Sequence, residues 1–190
     1  AETLHALHAA NPELTLVLPT ANMDFVRERL GNDAPSFLCV DVGETVEAHG
    51  FSITGVLAAH DEVQLDEEGL SHFLGFVAKF GSWTVYHSGD TRLHDQLIPS
   101  LLPHSVDLAL VPINGYKPKR RVAGNLNGTE AASLAKEIGA RIAIPHHFDM
   151  FAFNTEPPLE FEKAADRLGQ PIKVLRAGET WCSSELTSIA

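Results

Sequence analysis

Trp83-Thr-Val-Tyr-His-Ser-Gly-Asp90 is an apolar, β-branched and aromatic run that stops on a carboxylate, and the patterning of the chain changes at its end. Ahead of Asp90, residues 37–40, 45–48, 51–59, 71–80 and 82–87 have strand composition, with Gly43, Gly50 and Gly81 at turns between them. This spacing predicts consecutive antiparallel strands. Behind Asp90, helix and strand alternate. Leu93, Leu97 and Leu101 form a helical stripe, 106–111 is a buried strand, and Asn127-Gly-Thr-Glu130 is a capping box opening a helix that runs to Gly139. A strand over 141–144 follows, then a helix over 158–168 with Phe161, Ala164 and Leu168 inward and Gly169 as its stop, and a last strand over 172–175. A strand-rich half joined to an alternating half predicts an α/β fold of two sheets sandwiched between helices, with 1–190 as one domain.

The chain opens on a helix over 1–11, with Leu4, Leu7 and His8 on one face, ended by Asn11-Pro12. A strand over 14–18 is closed by Pro19, and a helix capped by Thr20 or Asn22 runs to Leu30 and stops at Gly31. The 190 residues carry 14 Lys and Arg against 25 Asp and Glu, a formal charge of −11. That balance argues against nucleic acid as a partner but leaves room for a local patch holding one small anion. No apolar run approaches the ~20 residues of a membrane span and no charged-then-apolar leader opens the sequence, so a cytoplasmic protein without membrane contact is expected. Cys39 and Cys182 read as ordinary thiols.

Two further apolar strands end on potential metal ligands. His60 closes Ile53-Thr-Gly-Val-Leu-Ala-Ala-His60, and His146-His147 close Ile142-Ala-Ile-Pro-His-His147. An imidazole or carboxylate at a strand end is a fixed, poorly solvated donor, the kind that holds a hydrolytic metal rigid. Asp90 has two oxygens able to bridge two ions ~3.5–4 Å apart, with His60 and His147 capping one ion each. Each signal alone is weak, since a histidine at a strand end is more often a hydrogen-bonded structural residue. Together they point to a metal-dependent hydrolase. His146 would face the other side of its strand, and His87 is either outer support for the metal or simply buried. His5 and His8 share helical spacing without a metalloprotease glutamate, and His49, His72, His94 and His104 stand at turn or polar positions, so these read as non-ligands.

The loop 114–127, with Gly115, Pro118, Gly124 and a basic run from Lys117 to Arg121, is the one long irregular segment. Such loops are usually functional. Asn114, Asn125 and one of Arg120 or Arg121 are therefore expected to bind substrate at the border of the metal cleft.

Asp66-Glu-Glu-Gly-Leu-Ser-His-Phe-Leu-Gly-Phe76, Tyr86-His-Ser-Gly-Asp-Thr91, Pro112-Ile-Asn-Gly115, Gly124-Asn-Leu-Asn-Gly-Thr-Glu-Ala-Ala132 and Pro145-His-His-Phe-Asp-Met-Phe151 together resemble the metallo-β-lactamase superfamily, specifically its L-ascorbate-6-phosphate lactonase-like branch. The resemblance runs from Ala1 to Thr180. It implies an αβ/βα sandwich and a hydrolase acting on a lactone or phosphoester of a small anionic metabolite. It also implies manganese or zinc, two ions in an intact member, with the family ligands falling on His60, Asp90 and His147. His146 stands at the methionine of the family's Pro-Met-His-aromatic-Asp motif. A homo-oligomer is compatible with this reading.

The family's His-x-His-x-Asp-His cluster would lie just before Ala1 and is not in this sequence. The expectation is a domain lacking its N-terminal portion, binding metal weakly and hydrolysing poorly by itself, with Asp90 leaning on neighbouring hydrogen bonds. Asn114-Gly-Tyr-Lys117 stands where the lactonase branch tends to have Asn-Gly-Arg-Asp. Tyr116 offers no fork for phosphate, so Arg120 or Arg121 would substitute for it. A phosphodiester or N-acyl ester is the other substrate type within the enzyme reading. The alternative is a non-catalytic protein of the same fold that binds a small anion or a partner.

Overall fold

In the computed structural model, which describes residues 2–31 and 34–188, the chain opens with α1 (Glu2–Ala10), β1 (Thr15–Pro19), α2 (Met23–Leu30) and β2 (Ser36–Val40). Strands β3 (Thr45–Ala48), β4 (Phe51–Leu57), β5 (Leu74–Phe80) and β6 (Trp83–His87) follow, then α3 (Leu97–Leu101), β7 (Leu108–Pro112), α4 (Gly128–Glu137), β8 (Ile142–His146) and α5 (Leu159–Leu168). A six-stranded sheet runs in the order β3-β4-β5-β6-β7-β8, and β1 pairs with β2 as a second, two-stranded sheet. The larger sheet is antiparallel from β3 to β6 and parallel from β6 to β8.

Local chemistry explains the antiparallel half. His49 and Gly50, both at positive φ (50° and 83°), turn β3 into β4 with Ala48 opposite Phe51. Two consecutive positive-φ residues match the twist of a two-residue hairpin. Gly81, at φ 55°, begins the equivalent turn between Phe80 and Trp83. Because β4 is antiparallel to β5 and β5 to β6, β4 runs in the same direction as β6, β7 and β8. The C-terminal ends of these four strands therefore share one edge of the sheet, where open α/β folds place their ligands. His60, Asp90, Asn114 and His147 all follow those ends.

Val77, Tyr86, Ala109, Val111 and Ala143 from the sheet share a buried core with Ala131, Ala132 and Ala135 of α4 and Phe161, Ala164 and Ala165 of α5. The expected capping box starts α4: the Asn127 side chain accepts from Glu130 N, and the Glu130 side chain accepts from Asn127 N.

Several sequence expectations give way to tertiary contacts. Residues 36–40 leave the antiparallel run and pair in parallel with β1. Leu93 is 48% exposed and precedes α3, because Arg92 N and the His94 ring are tied to the carbonyls of Ala59 and Leu57. Asn22 does not cap α2; both ends of its carboxamide bond His72, which is therefore not a solvated histidine. Residues 172–175 form no strand, only a bridge of Ile172 to Ala143. Leu168 beside the Gly169 stop is partly exposed, and α1 buries none of its residues. Among the described residues no helix is long and apolar enough to cross a membrane.

The close approach of α4 to α5 depends on Gly128, where a Cβ would stand 2.5 Å from Phe161 N. Alanine is the better helix former by about 1 kcal/mol in a helix interior, yet Gly128→Ala should destabilise the protein by about 1–3 kcal/mol through overpacking. Scanning calorimetry checks this, and an unchanged or raised Tm would show that the helix pair yields without cost.

Candidate metal centre and the adjoining cavity

The turn after β6 is held from three directions. Ser88 N donates to Leu110 O, and Gly89 at φ 60° passes so close to β5 that a Cβ would lie 3.1 Å from Leu74 O. Thr91 is wholly buried. Its Oγ1 accepts from Ala59 N at 2.9 Å, Arg92 N donates back to Ala59 O at 2.8 Å, and Leu126 N donates to Thr91 O at 2.8 Å. These bonds join the Asp90 turn both to the segment that presents His60 and to the neck of the loop after β7.

His60 Nε2 lies 3.7 Å and His147 Nε2 3.4 Å from the same oxygen, Asp90 Oδ2. Both separations exceed the 2.7–3.2 Å of ordinary N–H···O bonds. They match two donors sharing an ion, since ligands each ~2.1 Å from a tetrahedral centre stand about 3.4 Å apart. Asp90 makes no hydrogen bond to any described residue, contrary to the expected support from neighbours; its polar contacts are the two imidazoles. No three described His, Cys, Asp or Glu side chains close on one ion. The arrangement is one carboxylate flanked by two imidazoles, a donor set suited to part of a shared coordination shell.

Local backbone sets this geometry. His147 has φ 59°, a left-handed conformation that ends the strand alternation of β8 and turns its Nε2 towards Asp90. The ring's other nitrogen, Nδ1, is buried without a partner among the described residues. The His60 and Phe73 rings form a T-shaped pair with centroids 5.3 Å apart. His146 stacks on His87 with centroids 4.9 Å apart and places Nε2 3.5 Å from Ser88 Oγ. Burial, then the neighbouring His87, pushes the His146 imidazole down to about 4, so it is neutral at neutral pH. His87 is exposed rather than buried, and its Nδ1 accepts from Gly89 N.

The loop 114–127 is closed at its neck by a bridge of Asn114 to Asn127 and borders a cavity of about 220 Å³ lined by Arg92, Asn114, Tyr116, Lys117 and Asn125, among others. His60, Asp90 and His147 do not line it. Asn114 and Asn125, the expected substrate amides, are buried and bond each other: Asn125 Nδ2 donates to Asn114 Oδ1, and Asn114 Nδ2 donates to Asn154 Oδ1. Arg120, which only donates, also faces Asn154 Oδ1 and so orients the chain of amides, leaving the buried Asn125 Oδ1 without a donor among the described residues.

Neither Arg120 nor Arg121, the expected substrate arginines, lines this cavity. Arg120 turns inward onto Asn114 O, Thr155 O and Glu156, satisfying backbone carbonyls of the loop, and Arg121 is exposed outside the cavity wall. The arginine on that wall is Arg92, which sequence reading passed over although it stands two residues from Asp90. Asn154 and Glu156 carried no local signal; only the tertiary contact reveals them.

A family model described as "Beta-lactamase superfamily domain" matches residues 6–148. A "UPF0173 metal-dependent hydrolase" of Rubrobacter xylanophilus is 35% identical over 72% of this chain and 57% of its own length. Another of Methanosarcina mazei is 32% identical over 73% of this chain and 59% of its own length. The chain thus spans less than two thirds of these curated relatives. Among solved structures, Igni18, a metallo hydrolase of Ignicoccus hospitalis, superposes with TM-score 0.72 at 19% identity, covering 95% of this chain and 72% of that one. The metallo-beta-lactamase fold protein YhfI of Bacillus subtilis gives TM-score 0.67 at 20% identity, covering 95% and 70%. These structures share the fold, an αβ/βα sandwich.

Glu156 anchors the loop through Lys117 and Arg120. Partial burial raises its pKa, but hydrogen bonds and charge from Lys117 and Arg120 outweigh that and hold it below the ordinary glutamate value of 4.5. A depressed folded pKa means stability present above that value and lost as pH falls below it. Glu156→Gln should cost about 1–3 kcal/mol at pH 7 and flatten the acid limb of stability against pH, measured by urea melts between pH 3 and pH 7. An unchanged limb would remove Glu156 from the loop's anchorage.

Proposed function

Because the chain belongs to the beta-lactamase superfamily domain family, we propose that it serves metal-dependent hydrolysis, opening a lactone or cleaving an ester or phosphoester of a small anionic metabolite. The observation that carries this reading is the approach of His60 Nε2 and His147 Nε2, from separate strand ends, to one oxygen of Asp90 at the spacing of co-ligands. The printed names of the relatives, metal-dependent hydrolases, support it.

His60, Asp90 and His147 would supply part of the coordination shell of a divalent cation, and manganese and zinc both accept this donor set. When bound, the cation lowers the pKa of water and polarises the bond to be cleaved. The chain's own part is to fix the donors. The left-handed turn at His147 and the T-shaped contact between Phe73 and His60 orient the two imidazoles. Thr91 holds the Asp90 turn against Ala59. Three donors over two ions fall below the three per ion that a catalytic zinc site keeps, so the family's His-x-His-x-Asp-His cluster would complete the shell.

Titration calorimetry with Mn²⁺ and Zn²⁺ tests the donor set. Asp90→Asn should weaken binding by at least about 10- to 100-fold, the range produced by loss of even an outer-shell partner. A longer polypeptide carrying the His-x-His-x-Asp-His cluster should bind more tightly and turn over members of a lactone and phosphodiester panel. Metal affinity indifferent to Asp90→Asn would remove the carboxylate from the site.

A further inference from the structure

The cavity beside the Asp90 turn, about 220 Å³, is smaller than a drug-sized pocket and suits a small metabolite. Its charged groups are nearly all engaged. Glu130 caps α4 through Asn127 N, and Glu160 accepts from Thr129 N and Oγ1. Glu156 is taken by Lys117 and Arg120. Arg92 differs. Only its Nη1 is bonded, to Asp61 O at 3.3 Å and Asp61 Oδ1 at 3.2 Å, while Nε and Nη2 have no partner among the described residues. The Asp61 pair is long for a charge-assisted bond and nearly half exposed, at 43% and 48%, so water screens it and an incoming anion displaces it readily. The Tyr116 ring lies 5.1 Å from the guanidinium carbon and steadies the group at the cavity wall.

We propose that Arg92 anchors the anionic group of the ligand in this cavity, making the ligand a small carboxylate or phosphate. The ligand's placement rests on the hydrolase reading, Arg92 standing two residues after Asp90 in the chain. A guanidinium presents two parallel N–H donors to the oxygens of either anion, which an ammonium does not. The tyrosine at 116, which offers no fork itself, here supports the arginine that does. The same arginine also touches Asp61, the residue after His60.

The test is a titration of the metal-free chain with inorganic phosphate at low ionic strength, followed by the arginine Nε–Hε signals in nuclear magnetic resonance. A saturable shift of the Arg92 signal is expected. Arg92→Gln should raise the phosphate Kd at least tenfold, and Arg92→Lys, keeping charge without the fork, should fall between. Arg121→Gln, exposed and outside the cavity, should leave it unchanged. Mn²⁺ affinity of Arg92→Gln should stay within about twofold of the parent, because the imidazole and carboxylate donors remain. Should Arg92→Gln fail to fold, Tyr116→Ala should still weaken phosphate roughly two- to fivefold. A phosphate Kd indifferent to Arg92→Gln and Tyr116→Ala, or one that follows Arg121, overturns the proposal. So does joint loss of phosphate and Mn²⁺ binding that Arg92→Lys fails to restore, since Arg92 would then act only by positioning His60. Phosphate is read without metal, so failure of the hydrolase reading shows separately, as absent metal binding or turnover.

Discussion

The buried hydroxyl of Thr91 is the point on which the site depends. It accepts the Ala59 amide while the next residue returns a bond to the Ala59 carbonyl, and Leu126 closes on the Thr91 carbonyl. Three segments distant in sequence are thereby locked around one turn. Asp90 precedes that turn's anchor, His60 follows Ala59, and Asn125 precedes Leu126, so the positions of all three depend on bonds that no water competes for. A buried hydroxyl left without its partner costs more than the bond itself contributes, which makes the arrangement all-or-none.

Strain gathers where the donors are. Of the described non-glycine residues at positive φ, Asp61, Arg121, His147 and Asp149 lie in the loops around the site, and His49 and Ser105 lie elsewhere. Such conformations persist when their surroundings over-determine them. At His147 the result is visible: the left-handed turn sends this ring to Asp90 and leaves His146 stacked on His87. Strand alternation alone separates the two rings but does not say where either one ends up.

The shared direction of four sheet strands does the remaining work. It delivers β4, β6, β7 and β8 to one edge, so residues that merely follow strands in the sequence become neighbours in space. The long loop after β7 then folds back on its own acceptors. Its basic run, which reads as a binding feature, is largely turned to holding the loop together through Arg120, Lys117 and Glu156.

The apolar runs, their glycine turns and the capping box at Asn127 were readable directly, because burial, positive φ and orphan helix amides are local demands on residue type. For the same reason the chain displayed its donors: an imidazole or carboxylate ending an apolar strand stands out against the run before it. The destinations of side chains were not readable. Arg120 turned inward and Arg92 reached the cavity, residues 36–40 joined β1 in place of the hairpins, and Asn22 bonded His72 rather than its own helix. Each outcome was settled by which carbonyl, amide or ring lay within hydrogen-bonding distance after folding, a relation between segments that local periodicity does not contain.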